Sequence, residues 1–253
     1  MVESAPVALR VLTINTHKGF TPLNRRFILP ELREAVRATE ADVVFLQEVL
    51  GSHARHARRY SNWPGTPHYE FLADSIWPQF AYGRNSVYPD GDHGNALLSK
   101  FPIRSYENLD VSSGKEERRG LLHCILEVPG SHAEIHVICV HLGLTERHRR
   151  AQAKVLCQRL VKAVPPGAPL IVAGDFNDWR LQIDRMLRER AHLREAFETT
   201  QGGVARTFPA RFPVLRLDRV YVRNVTPVQA TVLSTRPWSH LSDHAPLAVE
   251  VRL

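Results

Sequence analysis

Asp175, Asn177 and Asp178 follow directly on the apolar residues 170–173 in the stretch "LIVAGDFND". A buried strand that runs into carboxylates is either closed by a turn or aims its oxygens at something positive. Glu48 repeats the pattern after "VVFLQ". A carboxylate there loses its hydration unless donors or a cation replace it; a hard divalent ion is one partner, and a surface position at a strand exit is the other reading. Asp218 in "RLDRVYV" alternates with Val220 and Val222 and so shares their apolar face. It needs a partner: a histidine whose tautomer it fixes and whose proton it directs toward a phosphate oxygen, or an ion pair with Arg216 or Arg219. "LSDHAPL" offers that histidine, with Asp243 and His244 side by side before the last strand-like run.

Oxygen donors dominate this set, which points to magnesium or manganese as the metal. His240 and His244 share a metal-like interval, but the fuller zinc-hydrolase pattern H-x-H-x-D-H would need histidines where Ser239 and Leu241 stand. The three cysteines are odd in number, fit no metal spacing, and place Cys139 and Cys157 within apolar patterns, so packing is their role.

The elements that must carry these residues show a repeated cadence. "RVLTIN" reads as a strand, "NRRFILPELREAVRAT" as mostly helix that starts late or kinks at Pro30, and "DVVFLQEV" as a strand ending in Glu48. "IHVICVHL", "TERHRRAQAKVLCQRLVKAV" and "PLIVAGDFN" follow the same order. In that second helix Ala153, Cys157, Leu160 and Val164 recur on one face, Thr145 is a suitable N-cap and Pro165 a stop. A polar residue closes each first strand and an acid each second one: Asn15 and Glu48 lie 33 positions apart, His141 and Asp175 34. Strands such as "VICVHL" are apolar at odd and even positions, so both faces are covered, whereas "APLAVEVRL" alternates. Two packed sheets flanked by helices satisfy both patterns.

Length and composition set the frame. The 253 residues contain no low-complexity segment or Gly/Ser linker, which predicts one domain over 1–253. With 43% hydrophobic and 23% charged residues the chain reads as an ordinary soluble protein. No apolar run approaches the roughly 20 residues that span a bilayer. The start, "MVESAPVALRVLTIN", lacks the features of a secretory leader, and with the cysteine usage this predicts a cytoplasmic protein. A net charge of +7 favours polyanionic partners, either nucleic acid or an anionic lipid surface, or serves solubility alone.

The ordered set "TIN", "FLQEV", "HGNALLSKFPI", "VHL", "GDFN", "RLDRVYV" and "SDHAPL" resembles the endonuclease/exonuclease/phosphatase superfamily across nearly the whole chain. That superfamily includes deoxyribonuclease I, exonuclease III-type repair nucleases, sphingomyelinases and inositol phosphatases. The resemblance implies a deoxyribonuclease I-like four-layer α/β/β/α sandwich, two mixed sheets flanked by helices, with the site at one edge of the sheets. It implies Glu48 as principal metal ligand with Asn15 and Asp243 close by, Asp175 orienting or deprotonating the attacking water, and Asn177 positioning water and phosphate. His141 and His244 would hydrogen-bond the phosphate oxygens, with Asp218 orienting His244. Asp178, by the chemistry of the site, is a turn residue or a support behind the residues that touch phosphate.

One position departs from that pattern. Many repair nucleases carry an acid two residues after the first asparagine; His17 stands there, which argues against a second metal on that side. His17 and Lys18 would touch the substrate phosphate or belong to a solvated loop. His93 and Asn95 of "HGNALLSKFPI" would line the cleft; Thr207 and Phe208 sit where relatives have pocket-lining residues, core packing being the other role for Phe208. Arg55, Arg58 and Arg59 near Tyr60, Trp63 and Tyr69 suit nucleic-acid backbone contact with base stacking, an anionic headgroup surface, or an ordinary exposed segment. The activity expected is magnesium-dependent phosphodiester hydrolysis by metal-assisted in-line attack of water, on DNA or RNA first. A phospholipid or inositol-phosphate headgroup comes second, and a non-catalytic binding module third.

Overall fold

The computed structural model describes residues 7–114, 117–131 and 133–253. β1 (Ala8–Asn15) leads through two short turns into α1 (Leu29–Arg37) and β2 (Val43–His53). After α2 (Ala54–Arg59) and α3 (His68–Ala73) come β3 (Gln79–Tyr88), β4 (Gly91–Ser99), β5 (Ile103–Asp110) and β6 (Gly120–Leu126). β7 (Ile135–His141), α4 (Glu146–Ala163) and β8 (Leu170–Asp175) repeat the first strand–helix–strand unit. The chain closes with α5 (Asp184–Ala191), β9 (Arg194–Glu195), α6 (Ala196–Gln201), β10 (Asp218–Arg223), β11 (Thr226–Val232) and β12 (Leu247–Arg252).

Two mixed sheets of six strands result, ordered β11-β12-β1-β2-β4-β3 and β5-β6-β7-β8-β10-β9. Each holds one parallel pair, β1–β2 and β7–β8, joined by a helical crossover. Leu9, Val11, Val43 and Phe45 meet Val137, Cys139, Ile171 and Ala173 between the sheets. The alternate residues Leu12, Ile14, Val44 and Leu46 lie under α1 and α3; Ile138, Val140, Leu170 and Val172 lie under α4 and α5. The fold is thus the four-layer α/β/β/α sandwich, and its central strands are apolar throughout because neither face meets water. Each fully buried aliphatic side chain stabilises it by about 1.5–3 kcal/mol. β12 borders that inter-sheet core with Leu247, Val249 and Val251 and leaves Glu250 and Arg252 facing out. Among the described residues no helix is long and apolar enough to cross a membrane.

The local readings are met at α4 and at the late start of α1, and corrected at the end of β2. The Thr145 hydroxyl accepts the His148 N–H at 3.3 Å, and Ala153, Cys157, Leu160 and Val164 pack under the second sheet. Of the two readings of the first helix, the late start holds and the kink does not: α1 begins at Leu29 with Pro30 in its first turn, the position where the missing N–H costs nothing. β2 does not end in Glu48 but continues to His53. Leu46 pairs with Ala96 and Val49 with Gly94, so Gln47 and Glu48 together oppose Asn95. This is a β-bulge, with Glu48 at φ 52°, and it re-aims the carboxylate without ending the strand.

Candidate active site

The parallel crossovers bring the polar strand ends together. Asn15 stands beside Gln47 in the first sheet and His141 beside Asp175 in the second, while β10 runs antiparallel to β8 and sets Asp218 opposite Asp175. At Gly174, φ is 143°, and a β-carbon would lie 2.0 Å from the Val140 carbonyl oxygen, so only glycine lets β8 close on β7 just before Asp175. The loop before β12 is tied in by Ser242, whose hydroxyl donates to the Asn15 carbonyl at 2.7 Å across 227 positions of sequence.

Asn15 is the hub. Its Nδ2 lies 3.3 Å from Asp175 Oδ2 and 3.5 Å from Glu48 Oε1, and its Oδ1 accepts the His17 N–H at 3.0 Å. Asp175 Oδ1 accepts the Asn177 N–H at 2.9 Å; Oδ2 lies 3.6 Å from His141 Nε2 and 3.9 Å from His244 Nε2. Burial pushes the Asp175 carboxyl up to about 6, His244 opposing the rise and Asp218 adding to it. His244 Nδ1 meets Asp218 Oδ2 at 2.8 Å. Burial works against a charged His244, but Asp218 and Asp175 outweigh it and hold the imidazole at about 10, protonated at neutral pH. Burial, aided by Arg119, holds His141 at about 3 and therefore neutral. Burial would raise Glu48, yet His141, Lys18 and His17 hold it down at about 2.

The ion-pair reading of Asp218 is excluded by this geometry. Arg219 is fully buried and contacts Asp178 Oδ2 at 3.5 Å and the Asp178 and Arg216 carbonyls. Asp178 also accepts the Gln182 and Ile183 N–H groups at 2.9 and 3.0 Å, as a turn residue does. Asn177, at φ 51°, donates from Nδ2 to the Leu142 carbonyl at 2.9 Å, which also accepts from Arg119 Nε at 3.1 Å. Thr207, Ser242, Arg119 and Arg219 thus brace the centre, and no spacing signal marks them in the sequence. The Thr207 hydroxyl accepts the Asp218 N–H at 3.2 Å and is wholly buried, a brace and not a pocket wall.

The remaining predicted residues separate. His17 Nδ1 lies 3.3 Å from Asp243 Oδ1, and both line a cleft of about 950 Å³ with Phe208, whose ring also packs 5.1 Å from His244. Lys18 faces a different, basic pocket. Asn95 does not line the cleft: it is fully buried and its Nδ2 donates to the Gly120 and Cys139 carbonyls at 3.0 and 3.4 Å, bracing the two sheets behind the bulge. Trp63 stacks on Phe27 at 4.7 Å and Tyr69 on Tyr82 at 4.5 Å, so both are committed to packing and neither is free to receive a base.

The donor chemistry fits a hard divalent cation. The Glu48 carboxylate is ionised, half-buried and receives a single long hydrogen bond among the described residues, from Asn15, and the partly exposed Asp243 follows Ser242, whose hydroxyl bonds the Asn15 carbonyl. The tightest cluster, Asp175, Asp218 and His244 with one donor atom each within 4.8 Å of the others, is a different set. Its imidazole is protonated and hydrogen-bonded to a carboxylate, which opposes binding a cation there. Magnesium retains several waters and needs only one or two carboxylates, so a looser set around Glu48 suffices.

The fold and these strand-end groups define a class, and the chain belongs to the Endonuclease/Exonuclease/phosphatase family, whose profile matches residues 12–244. It is 56% identical over 251 residues to "Uncharacterized protein YbhP" of Escherichia coli strain K12, with 99% of each chain covered. An endonuclease/exonuclease/phosphatase from Beutenbergia cavernae superposes with TM-score 0.81 at 22% identity, over 97% of this chain and 72% of that one. D. rerio TDP2 complexed with single strand DNA product gives 0.73 at 19% identity, over 97% and 99% of the two chains. A Bacteroides thetaiotaomicron mannosyl-6-phosphatase gives 0.74 at 17% identity, over 96% and 99%. The family includes nucleases, TDP2 and phosphatases, and its members generally depend on a divalent metal.

Proposed function

We propose that this chain is a magnesium-dependent phosphodiester hydrolase, with manganese as a substitute, that works as one domain on DNA or RNA in the cytoplasm. One observation carries the reading: Asp175 Oδ2 lies 3.6 Å from His141 Nε2, 3.9 Å from the Nε2 of a His244 held by Asp218, and 3.3 Å from the Asn15 Nδ2 that also reaches Glu48 Oε1 at 3.5 Å. Hydrolysis of a phosphodiester needs a base for the attacking water, positive charge on the equatorial oxygens and help for the leaving oxygen. Asp175 takes the proton from water, held in place by Asn15 Nδ2 and the Asn177 N–H. His244 donates from Nε2 to a phosphate oxygen while Asp218 fixes its Nδ1–H. His141, neutral, donates a hydrogen bond from Nε2, and Asn177 positions water and phosphate with the part of its amide that Leu142 leaves free. Glu48, Asn15 and Asp243 would hold the cation, which when bound would neutralise negative charge on the phosphate oxygens and on the departing oxygen.

The net charge of +7 and the TDP2 relative solved with a DNA product support a nucleic-acid substrate. The three buried free cysteines suit a reducing compartment. A headgroup phosphodiesterase is the second reading, favoured by Leu23 and Phe212, 76% and 80% exposed, on the rim of the large cleft. The test is hydrolysis of a chromogenic phosphodiester with magnesium and then with chelator, followed by single-stranded DNA, RNA and anionic vesicles. Asp175→Asn should lower turnover by about 10²–10⁴-fold. Metal-independent turnover, or full activity in that variant, would exclude the mechanism; cleavage of lipid alone would select the second reading.

A further inference from the structure

A second pocket, of about 320 Å³, lies further along β2, past the bulge that carries Glu48. Its walls include Lys18, His53, Arg55, His56, Arg59 and Tyr60, and no aspartate or glutamate lines it. Lys18 and Arg59 make no ion pair among the described residues, and Arg55 meets Asp90 only at 3.8 Å with both side chains exposed. Arg59 lies over the Tyr60 ring at 5.5 Å. His53 Nδ1 accepts the His56 N–H at 3.3 Å, and burial lowers both imidazoles, so the permanent charge comes from the lysine and the two arginines. His56 Nδ1 is buried with no partner among the described residues.

The loop after β1 connects this pocket to the site. His17, Lys18 and Gly19 take φ values of 44°, 57° and 79°, three left-handed residues in succession, two of them not glycine. Such backbone persists only where its surroundings fix it; here Gly19 N–H donates to the Thr16 carbonyl at 2.9 Å and Phe20 N–H to that of His17 at 3.0 Å. The result is that His17 contacts Asp243 at the candidate cation site while the next side chain, Lys18, enters the basic pocket. Consecutive residues of one loop therefore border the candidate cation site and the basic pocket, which sets the two side by side, as adjacent phosphates of one strand are. Two guanidinium forks beside an ammonium suit phosphate oxygens.

We propose that the pocket of Lys18, Arg55 and Arg59 binds a second phosphate of the substrate strand, the backbone phosphate next to the one that is cleaved. The proposal rests on the nucleic-acid reading above, and the experiment separates the two. Binding of a labelled single-stranded oligonucleotide is measured by anisotropy in chelator, across roughly 50–200 mM salt. Arg55→Gln/Arg59→Gln should weaken binding by about tenfold and make the log–log salt slope shallower by about 0.7, one phosphate contact. Arg55→Lys/Arg59→Lys should keep the slope and lose part of the affinity, because lysine retains the charge but not the fork. Arg185→Gln/Arg190→Gln removes the same formal charge from α5 and should leave the slope unchanged. A wild-type slope in the Arg55/Arg59 glutamine variant, or an equal loss in the α5 variant, overturns the pocket while leaving the hydrolase standing. A wild type that hydrolyses a one-phosphate chromogenic diester with magnesium but binds no oligonucleotide overturns the nucleic-acid substrate and the pocket's role with it. A glutamine variant that loses only binding to vesicles containing phosphatidylinositol bisphosphate moves the second phosphate to a lipid headgroup and overturns the strand assignment.

Discussion

Asp218 shows how one residue acts through another. It does not reach Asp175 directly; it holds His244 by a 2.8 Å hydrogen bond and supplies the charge that keeps that imidazole protonated. Asp218→Asn removes the charge and alters the tautomer, and should lower kcat/KM on a phosphodiester by about 10–100-fold while near-ultraviolet circular dichroism stays native. His68 acts on stability. It is 1% exposed, both ring nitrogens lack partners among the described residues, and burial lowers it from 6.5 to about 3. Between those two values the unfolded chain binds a proton that the folded chain refuses, so stability present above the ordinary histidine range is lost as pH falls below it, by about 1.4 kcal/mol per pH unit for one such imidazole. Urea unfolding at neutral and mildly acidic pH should show that loss, and His68→Leu should make it smaller.

At the scale of elements, the turn after β8 is secured from the neighbouring strand. Arg219 on β10 ties Asp178, and Tyr221 on the same strand donates to Asp184 of α5 at 2.6 Å. Arg219→Met leaves Asp178 buried without its cation and should cost about 3–5 kcal/mol in denaturant unfolding. α4 depends on its cap in the ordinary way: Thr145→Ala should cost about 1 kcal/mol and leave the kinetics untouched. Equal losses of activity in both variants would mean that α4 too sets the geometry of the site.

For the whole molecule, the candidate cation site joins both ends of the chain, since Asn15 and Glu48 come from the first unit and Asp243 from the loop before the last strand. A cation bound there stabilises the native state alone, by about 2.7 kcal/mol at a hundredfold excess over its Kd. Magnesium should therefore raise Tm in the wild type, chelator should reverse the rise, and Glu48→Gln should abolish it. A magnesium-induced rise that survives in Glu48→Gln would place the cation elsewhere.

The two-sheet sandwich was legible in the sequence because apolar runs covered on both faces leave few alternatives, and α4 because its face, cap and stop agree. The convergence of Asn15, Glu48, Asp175, Asp218 and His244 followed from polar residues at the ends of such runs together with the family resemblance. Only the tertiary structure placed the bulge at Gln47 and Glu48, because a bulge is a relation between two strands and its partner Asn95 lies in β4. It supplied the physical basis for separating Asp178 from Asp175, two acids of one motif, by giving the first a buried arginine and leaving the second beside two imidazoles. The proton affinities of Asp175 and His244 likewise belong to the folded molecule: they arise from loss of water and from charges supplied by distant segments, quantities that no local stretch of chain contains.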